Sequence, residues 1–540
     1  MKLFQKLLLA PAALGLMAPV AASAADLNIA GVSQYGSEEQ VTSITQFSDV
    51  KPTDWAYQAL SNLIERYGCV AGYPNGTYKG GQAMTRYEAA ALLNACLDRI
   101  TEVTDELKRL MKEFEKELAV LKGRVDGLEA KVGELEATQF STTTKLKGIA
   151  TFVLGANSFG GSNKAIKDFA SSVEGATSFN YDVRLNFDTS FTGKDLLRTT
   201  LRAGNFGDSA FGNGYGFDSN GRAIQGLNTL EVAFQENCGT GVDCGDVVAI
   251  NRLFYQFPIG NGFTATVGGR VRQDDMLAMW PSVYPADTVL DIFTYAGAPG
   301  AYNLNLGAGA GIWYQKNGWS VSANYVAANG DMGNPNDGGI GTDASAETGT
   351  VQVGYAGSNW GLAAVYNYSN GVGAASGTPF ASALDVAAGL FGSVNSVGVS
   401  GYWQPKTTGY VPSISAGWGY NSYNADEAAF GFDGVATQSW YVGLQWSDAF
   451  IKGNALGMAV GQPTFITGCG DICDKTPHDG NYAWEWWYKF QVTDNISVTP
   501  AIFYLSNPLG QAGYIANKVS GDEGAALTNF GAIVKTTFKF

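Results

Sequence analysis

The sequence predicts a transmembrane β-barrel that follows a small α-helical module and a coiled-coil helix. Three observations support this prediction: an export signal at the amino terminus, an apolar heptad pattern after residue 103, and apolar and polar residues that alternate from about residue 143 onward. With strands of ~10 residues, the alternating part has room for about fourteen to eighteen antiparallel strands. The fold class is therefore all-β over most of the chain.

The first 24 residues have the pattern of a secretory signal. Lys2 and Lys6 precede an apolar stretch, and small residues end it at Ala24. The alternative is an uncut membrane anchor, but two prolines interrupt the apolar stretch. We therefore expect cleavage after Ala24, followed by a linker over residues 25–46.

Composition agrees with export and disfavours a nucleic-acid partner. The formal net charge is -15, and no cluster of lysine and arginine offers a surface for phosphates. Six cysteines, an even number in an exported chain, favour disulfides, and the candidates are the close pairs Cys238 with Cys244 and Cys469 with Cys473. The last pair could instead bind a metal. Because the only histidine, His478, is not matched by a second close cysteine pair, we expect no metal and no other cofactor.

Residues 47–102 predict two amphipathic helices around a glycine-rich turn. Apolar residues recur at helical spacing, the segment from Gly72 to Gly76 breaks the chain, and Thr85 with Glu88 can form a capping box on the second helix. The pattern alone indicates only a small helical domain.

The motifs FSDV, DWAY, GYPNGTY and MTRYE, in this order, resemble a surface-layer homology (SLH) module. Such modules hold proteins to polysaccharide attached to peptidoglycan. The resemblance implies that Arg86 binds a sugar carboxylate, which its planar guanidinium can contact through two hydrogen bonds. It also implies that Trp55 and Tyr73 pack on sugar and that Gly72 lets the backbone approach the ligand. The alternatives are a core role for Trp55 and a structural ion pair for Arg86. SLH modules usually come three to a chain, and only one is visible here.

Residues 103–138 predict a coiled coil. From Leu107 to Leu135 apolar residues recur at steps of four and three, with charged residues between them, over about four heptads. At 1.5 Å per residue this seam would form a rod of about 40 Å, which would act as a spacer. Val125 and Val132 at one core position favour two strands. A single helix packed on another domain is the alternative.

The barrel is predicted over residues 139–540, and FNYDVRLNFDTSF shows its pattern most clearly. From Phe179 to Phe191 every second residue is apolar or threonine, and mostly charged or amide residues lie between them. In a soluble sheet the aromatic face would be inside, whereas in an outer-membrane barrel it faces lipid. No later apolar run is long enough for a membrane-spanning helix, so we place the aromatic face outward and the charged face toward an aqueous channel.

The charged face of the early strands supplies the candidate pore-lining residues. They are Asp182, Arg184, Asp188, Arg198, Arg202, Glu231, Arg252, Arg270 and Arg272. Opposed basic and acidic groups across a constriction would filter solutes by charge and size, and the alternative is that the groups pair along the wall. The segment from Arg272 to Thr288 is a candidate for a loop that folds into the pore. A cation-favouring pore would fit the acidic total.

The order of signal peptide, SLH module, coiled coil and barrel resembles the cyanobacterial outer-membrane porins of the carbohydrate-selective (OprB-type) or iron-uptake kind. This resemblance implies a homotrimer with about sixteen strands per subunit, set in outer-membrane lipid, with the SLH and coiled-coil region in the periplasm. The terminal Phe540 is similar to the last-strand signal of such barrels. The implied cargo is small hydrophilic solutes and especially inorganic ions, with iron among the candidates.

Two other functions compete with ion passage. One is a carbohydrate-selective pore, and the other is a structural tether between the outer membrane and peptidoglycan. An enzyme is disfavoured, because His478 lies in a segment rich in aspartate, proline and glycine with no G-x-S-x-G motif nearby.

Overall fold

The computed structural model divides the chain into two compact units, Met1–Gln139 and Phe140–Phe540. In the first unit it describes residues 43–54, 57, 58, 60, 61, 64, 76–78, 112–115 and 124. In the second unit it describes residues 143–212, 226–236, 244–372, 377–383, 392–425, 434–469, 477–520 and 526–540. The signal peptide and most of the coiled coil therefore lie outside the described residues. Within these residues, no helix is long and apolar enough to cross a membrane.

The described part of the first unit has a small apolar core. Its buried members are Ile44, Phe47, Leu60 and Ile64. The backbone N–H of Tyr78 donates to the Asp49 carboxylate at 2.6 Å, and that of Ser48 donates to the carbonyl of Gly76 at 2.9 Å. Two of the four SLH motifs, FSDV and GYPNGTY, are thus joined by hydrogen bonds.

Sixteen antiparallel strands in the described part of the second unit form a closed barrel. Each strand pairs with its neighbours in sequence, and β1 pairs with β16. The strands are β1 (Thr144–Gly160), β2 (Ser178–Thr189), β3 (Leu196–Gly204), β4 (Ala249–Ile259), β5 (Phe263–Arg272), β6 (Leu306–Lys316), β7 (Trp319–Ala327), β8 (Glu347–Ala356), β9 (Trp360–Asn370), β10 (Gly392–Trp403), β11 (Ser413–Ala425), β12 (Val435–Ser447), β13 (Ala455–Cys469), β14 (Tyr482–Thr493), β15 (Ile496–Ser506) and β16 (Thr528–Lys539). The predicted fold class is confirmed, as is the strand number that the resemblance implied.

The two ends of the barrel differ in the length of their connections. At one end the connections are short: Asn317 and Gly318 alone join β6 to β7, and their positive φ angles of 52° and 84° suit a tight hairpin turn. Longer loops connect the strands at the other end. Helix α1 (Lys164–Glu174) lies in the first of these loops and helix α2 (Gly510–Ser520) in the last. Outer-membrane barrels have the same asymmetry.

The apolar face of the strands is the outer one, as predicted. In β2, Phe179 is 65% exposed, whereas Asp182 on the opposite face is 1% exposed. In β8, Val351 and Val353 are exposed, and the residues between and beside them, such as Thr350, are buried. The motif FNYDVRLNFDTSF therefore turns its aromatic side chains away from the barrel interior.

The alternation that places Arg270 and Arg272 on the inner face in the sequence prediction, with Val271 on the outer one, breaks at a bulge. The register of β5 shifts between Gly268 and Val271 against β6, and the β4 partner shifts between Leu253 and Phe254. Val271 is therefore fully buried beside Phe254, although its place in the pattern predicted the outer face. A bulge adds one unpaired residue to a strand and so reverses the faces that follow it.

Candidate functional site

The segment between β5 and β6, residues 273–305, folds into the barrel and is called the inner loop here. It includes the predicted pore loop except for its first residue, Arg272, which ends β5. Gln273 donates to Thr350 of β8 at 2.8 Å, and Ser439 of β12 donates to the carbonyl of Gly297 at 2.9 Å. The inner loop is thus hydrogen-bonded to inward side chains on strands distant from its own.

Glycine on the barrel wall lets the inner loop lie close to it. A Cβ atom built at Gly417 of β11 would lie 1.9 Å from the carbonyl oxygen of Ala296, and one at Gly443 of β12 would lie 2.6 Å from the Tyr284 ring. Any larger residue at these two positions would push the loop away.

A buried carboxylate on β14 anchors the middle of the inner loop. Glu485 is 0% exposed and accepts hydrogen bonds from the Tyr284 hydroxyl and from the backbone N–H of Leu290, both at 2.7 Å. The Trp487 indole donates to the same Tyr284 hydroxyl at 2.9 Å. Lys535 of β16 donates to the backbone carbonyls of Asp287 and Thr288. Three strand residues therefore hold one short stretch of the loop.

A hydrophobic core inside the barrel reinforces this anchor. It joins residues of the inner loop and of the β3–β4 loop to inward apolar residues of the wall. Its members include Phe206, Phe211, Leu227, Leu290, Ile292, Phe293, Val153, Tyr441, Ala483, Phe503 and Ile533. Apolar side chains therefore fill part of the barrel interior, and polar cavities are limited to the rest of it.

A charged cavity of about 450 Å³ lies between the inner loop, the β3–β4 loop and the wall of β3–β5. Its charged lining consists of Arg202, Arg252, Arg272, Glu231, Asp274 and Asp291, and its aromatic lining includes Trp280 and Tyr295. Basic groups come from the strands and acidic groups from the two loops. Each of the three arginines of the lining also contacts a carboxylate, so opposite charges lie side by side.

Asp182 connects two of the arginines on the wall. Its two carboxylate oxygens accept from Arg202 Nε and Arg184 Nε, each at 2.7 Å. Arg184 also reaches Glu231 of the β3–β4 loop at 3.2 Å. The chain of ion pairs therefore runs from the wall to the loop.

The other two arginines pair with the start of the inner loop. Arg252 Nε lies 2.7 Å from Asp275, and Arg272 donates through Nε and Nη2 to the two oxygens of Asp274, each at 2.5 Å. Bidentate contacts of this kind fix the orientation of the guanidinium plane. The inner loop consequently begins at a defined position.

Asp291 has a different environment from the paired carboxylates. Burial raises the pKa of Asp291 to about 6, although the Tyr295 hydroxyl, which donates to it at 2.6 Å, partly opposes the rise, and nearby Glu231 adds to it. The cavity therefore gains or loses one negative charge in the range between weakly acidic and neutral pH.

Three of the predicted pore-lining arginines are absent from the cavity lining: Arg184, Arg198 and Arg270. Arg198 pairs with Asp188 through two hydrogen bonds of 2.8 and 3.0 Å and is absent from the cavity lining. Arg270 does not line the cavity either, because the bulge puts it in register with Leu253, which is 39% exposed.

Some cavity residues were not identified from the sequence. Asp274 and Asp275 lie inside the predicted pore loop, and their negative charge was the feature of the sequence that could have identified them as members of the site. Asp291 and Trp280 come from segments without alternation, so no periodic pattern marks their direction.

The predicted cell-wall residues Trp55, Gly72, Tyr73 and Arg86 lie outside the described residues. Cys238 and Cys473 do as well. Cys244 is disulfide-bonded, and Cys469 is the last residue of β13. Of the described residues, no group of three or more histidine, cysteine or acidic side chains could hold a metal ion.

Family comparisons agree with this architecture. Residues 102–540 match the carbohydrate-selective porin, OprB family, and residues 46–90 match the S-layer homology domain. The chain belongs to the OprB family. An uncharacterized protein of Nostoc sp. is 36% identical over 521 residues, which cover 87% of this chain and 83% of that protein. An uncharacterized protein of Synechocystis sp. is 32% identical over 525 residues, with coverages of 88% and 89%.

A solved structure of Pseudomonas putida OprB at high pH is also similar to this OprB-family chain. It is 13% identical with a TM-score of 0.47, and the match covers 76% of this chain and 96% of that structure. With the closed barrel and the SLH match, membership of the family makes this protein an outer-membrane porin that carries an SLH module.

Replacing Glu485 with alanine should loosen the inner loop. The change leaves the Tyr284 hydroxyl and the Leu290 N–H without their acceptor, at about 1–3 kcal/mol for each buried unsatisfied group. We expect a lower temperature for the heat-induced mobility shift on gels and noisier open-channel current. Tyr284→Phe removes one of the two hydrogen bonds and should have a smaller effect. Equal stability in Glu485→Ala and wild type would show that the anchor is dispensable.

The charge selectivity of the channel should depend on pH through Asp291. Its raised pKa means that the carboxyl is ionised at about pH 8 and largely neutral at about pH 5. Lowering the pH should therefore shift the reversal potential in a salt gradient toward anion preference. In Asp291→Asn this shift should be much smaller. A shift of the same size in both proteins would assign the titration to another group.

Proposed function

We propose that this porin passes small hydrophilic solutes by passive diffusion, as a channel and not as an enzyme, with inorganic ions as its main cargo. The observation that carries the proposal is the charged lining of the cavity, in which arginines of the wall pair with carboxylates of the loops. A lining of this kind orders water and favours ions and strongly polar solutes over apolar ones.

The balance of charge in and beside the cavity supports weak rather than strict ion selectivity. The described groups are Arg184, Arg202, Arg252, Arg272, Asp182, Glu231, Asp274, Asp275 and Asp291. Positive and negative charges nearly cancel when Asp291 is ionised and cancel fully when it is neutral. The described cavity lacks a cluster of metal ligands, so the proposal does not include iron as a specific cargo.

Sugars are the second candidate cargo. Trp280 and Tyr295 line the cavity beside its charged groups, and an aromatic ring next to hydrogen-bonding groups suits the mixed apolar and hydroxyl faces of a sugar. The description of the matched family, a carbohydrate-selective porin, favours the same candidate.

Single-channel recording in planar bilayers tests these two cargoes. Discrete conductance steps without block by added sugars would support ions, and concentration-dependent sugar block would support carbohydrate. Silence from a correctly folded barrel would remove the channel proposal and leave the tether as the main role.

Arg272→Glu should alter ion selectivity, because it replaces a positive charge of the cavity lining with a negative one. We expect the reversal potential to shift toward cation preference. Arg270→Glu is the matched control. It makes the same charge change two residues earlier in β5, outside the cavity lining, and should leave the ion selectivity close to that of wild type. The same shift in both variants would point to a general surface-charge effect.

We further propose that the SLH module tethers the barrel to peptidoglycan-linked polysaccharide, with the coiled coil over residues 103–138 as the periplasmic spacer. The SLH motifs and the family match over residues 46–90 support this. Assembly as a homotrimer would bring three single modules together and would offset the missing repeats in each chain.

Arg86→Ala should weaken binding to isolated cell wall, because it removes the guanidinium proposed to contact a sugar carboxylate. The measurement is cosedimentation of the detergent-solubilised protein with purified peptidoglycan and its attached polysaccharide. We expect roughly tenfold weaker binding, the equivalent of one charged hydrogen bond. Unchanged cosedimentation would remove Arg86 from the site.

A further inference from the structure

A second polar cavity lies at the short-turn end of the barrel, on the far side of the anchored stretch of the inner loop. It has a volume of about 270 Å³ and is bounded by β12–β16 and by residues 285–289 of the inner loop. Its polar lining consists of Asp287, Thr288, Gln445, Ser447, Asp448, Asn454, Lys489, Ser497, Thr499, Lys535 and Thr537. Hydroxyl and amide groups thus surround two lysines.

The lysines of this cavity are not ion-paired, in contrast to the arginines of the first cavity. Neither Lys489 nor Lys535 lies within 4.0 Å of a carboxylate in the part of the chain that the structure describes. Lys489 faces inward, because it pairs in register with the buried Ala455. Because no carboxylate contacts either ammonium group, an anion that enters the cavity can contact both.

Lys535 is already held in place for such a contact. It is 4% exposed, and its ammonium group donates to the carbonyls of Asp287 and Thr288. Since an ammonium group has three N–H donors, one remains for a ligand. The side chain would lose little conformational freedom on binding.

The lining of the cavity holds two carboxylates, Asp287 and Asp448, besides the two lysines. Burial would raise the pKa of Asp287, but Lys535, Lys489 and Lys539 outweigh this effect and hold the pKa of that carboxyl below its ordinary value. The second carboxylate of the lining, Asp448, accepts the Gly453 N–H within its turn at 2.8 Å. Two ammonium groups and two carboxylates therefore share the lining, and no salt bridge joins them.

We propose that this cavity is a binding site for a small oxyanion, held by Lys489 and Lys535 and by neighbouring hydroxyl groups. Inorganic phosphate is the simplest probe of this class, because its oxygens accept hydrogen bonds from ammonium, hydroxyl and amide donors together. The residues that line this site do not include any that line the charged cavity.

Equilibrium dialysis of radiolabelled phosphate against the full chain in detergent tests the site without requiring conductance. Wild type should bind phosphate saturably at low ionic strength, and Lys489→Gln should bind it roughly tenfold more weakly. Lys316→Gln, an exposed lysine at the same end of the barrel but remote from the cavity, makes the same change of charge and should bind like wild type.

Three results would overturn the proposal: no saturable binding, unchanged binding in Lys489→Gln, or the same loss in Lys316→Gln. Lys535 is left intact in this test because its hydrogen bonds anchor the inner loop. Ion conductance of the same preparations in potassium chloride separates this site from the channel function. Normal conductance without phosphate binding would contradict only the anion site.

Discussion

The pairing of β1 with β16 is the constraint on which the rest of the barrel depends. It runs from Ile149 opposite Lys539 to Gly160 opposite Thr528, and the Gly148 N–H also donates to the carbonyl of Phe540 at 2.6 Å. Lipid offers no hydrogen-bond partners, so an unpaired strand edge within the membrane would leave a row of polar groups unsatisfied. Closure removes both edges at once and allows the exposed face to be almost entirely apolar.

Closure with sixteen strands also creates an interior that the strand side chains cannot fill. The inner loop occupies part of this space, and it does so through a mixture of apolar packing and specific hydrogen bonds. Glu485 illustrates the balance: a buried carboxylate is costly alone, but here it satisfies two loop donors that would otherwise lack partners. The anchor therefore fixes the loop, whose residues line both the charged cavity and the cavity that contains Lys489 and Lys535.

The two cavities differ in how their charged side chains are paired. Around the first, each cavity arginine is paired with a carboxylate, so the charged groups are held rigidly and largely offset one another. In the second, Lys489 and Lys535 are unpaired with carboxylates of the described residues, so their ammonium groups can contact a solute that enters. A solute moving through the barrel would meet paired charges at one site and unpaired ammonium groups at the other.

The sequence by itself determined the barrel and the direction of most strand faces. Alternation in β2 was sufficient to place Asp182 inside and Phe179 outside, because the period of a strand is two residues and the membrane leaves only one assignment of the apolar face. The positions at which this alternation fails became evident only in the tertiary structure. The bulge at Gly269 removed Arg270 from the cavity lining and buried Val271, since one extra residue reverses the faces of those that follow. The contacts of Asp291 and Lys535 could not be predicted from the sequence either. A loop without periodicity is positioned by contacts with residues that are distant along the chain.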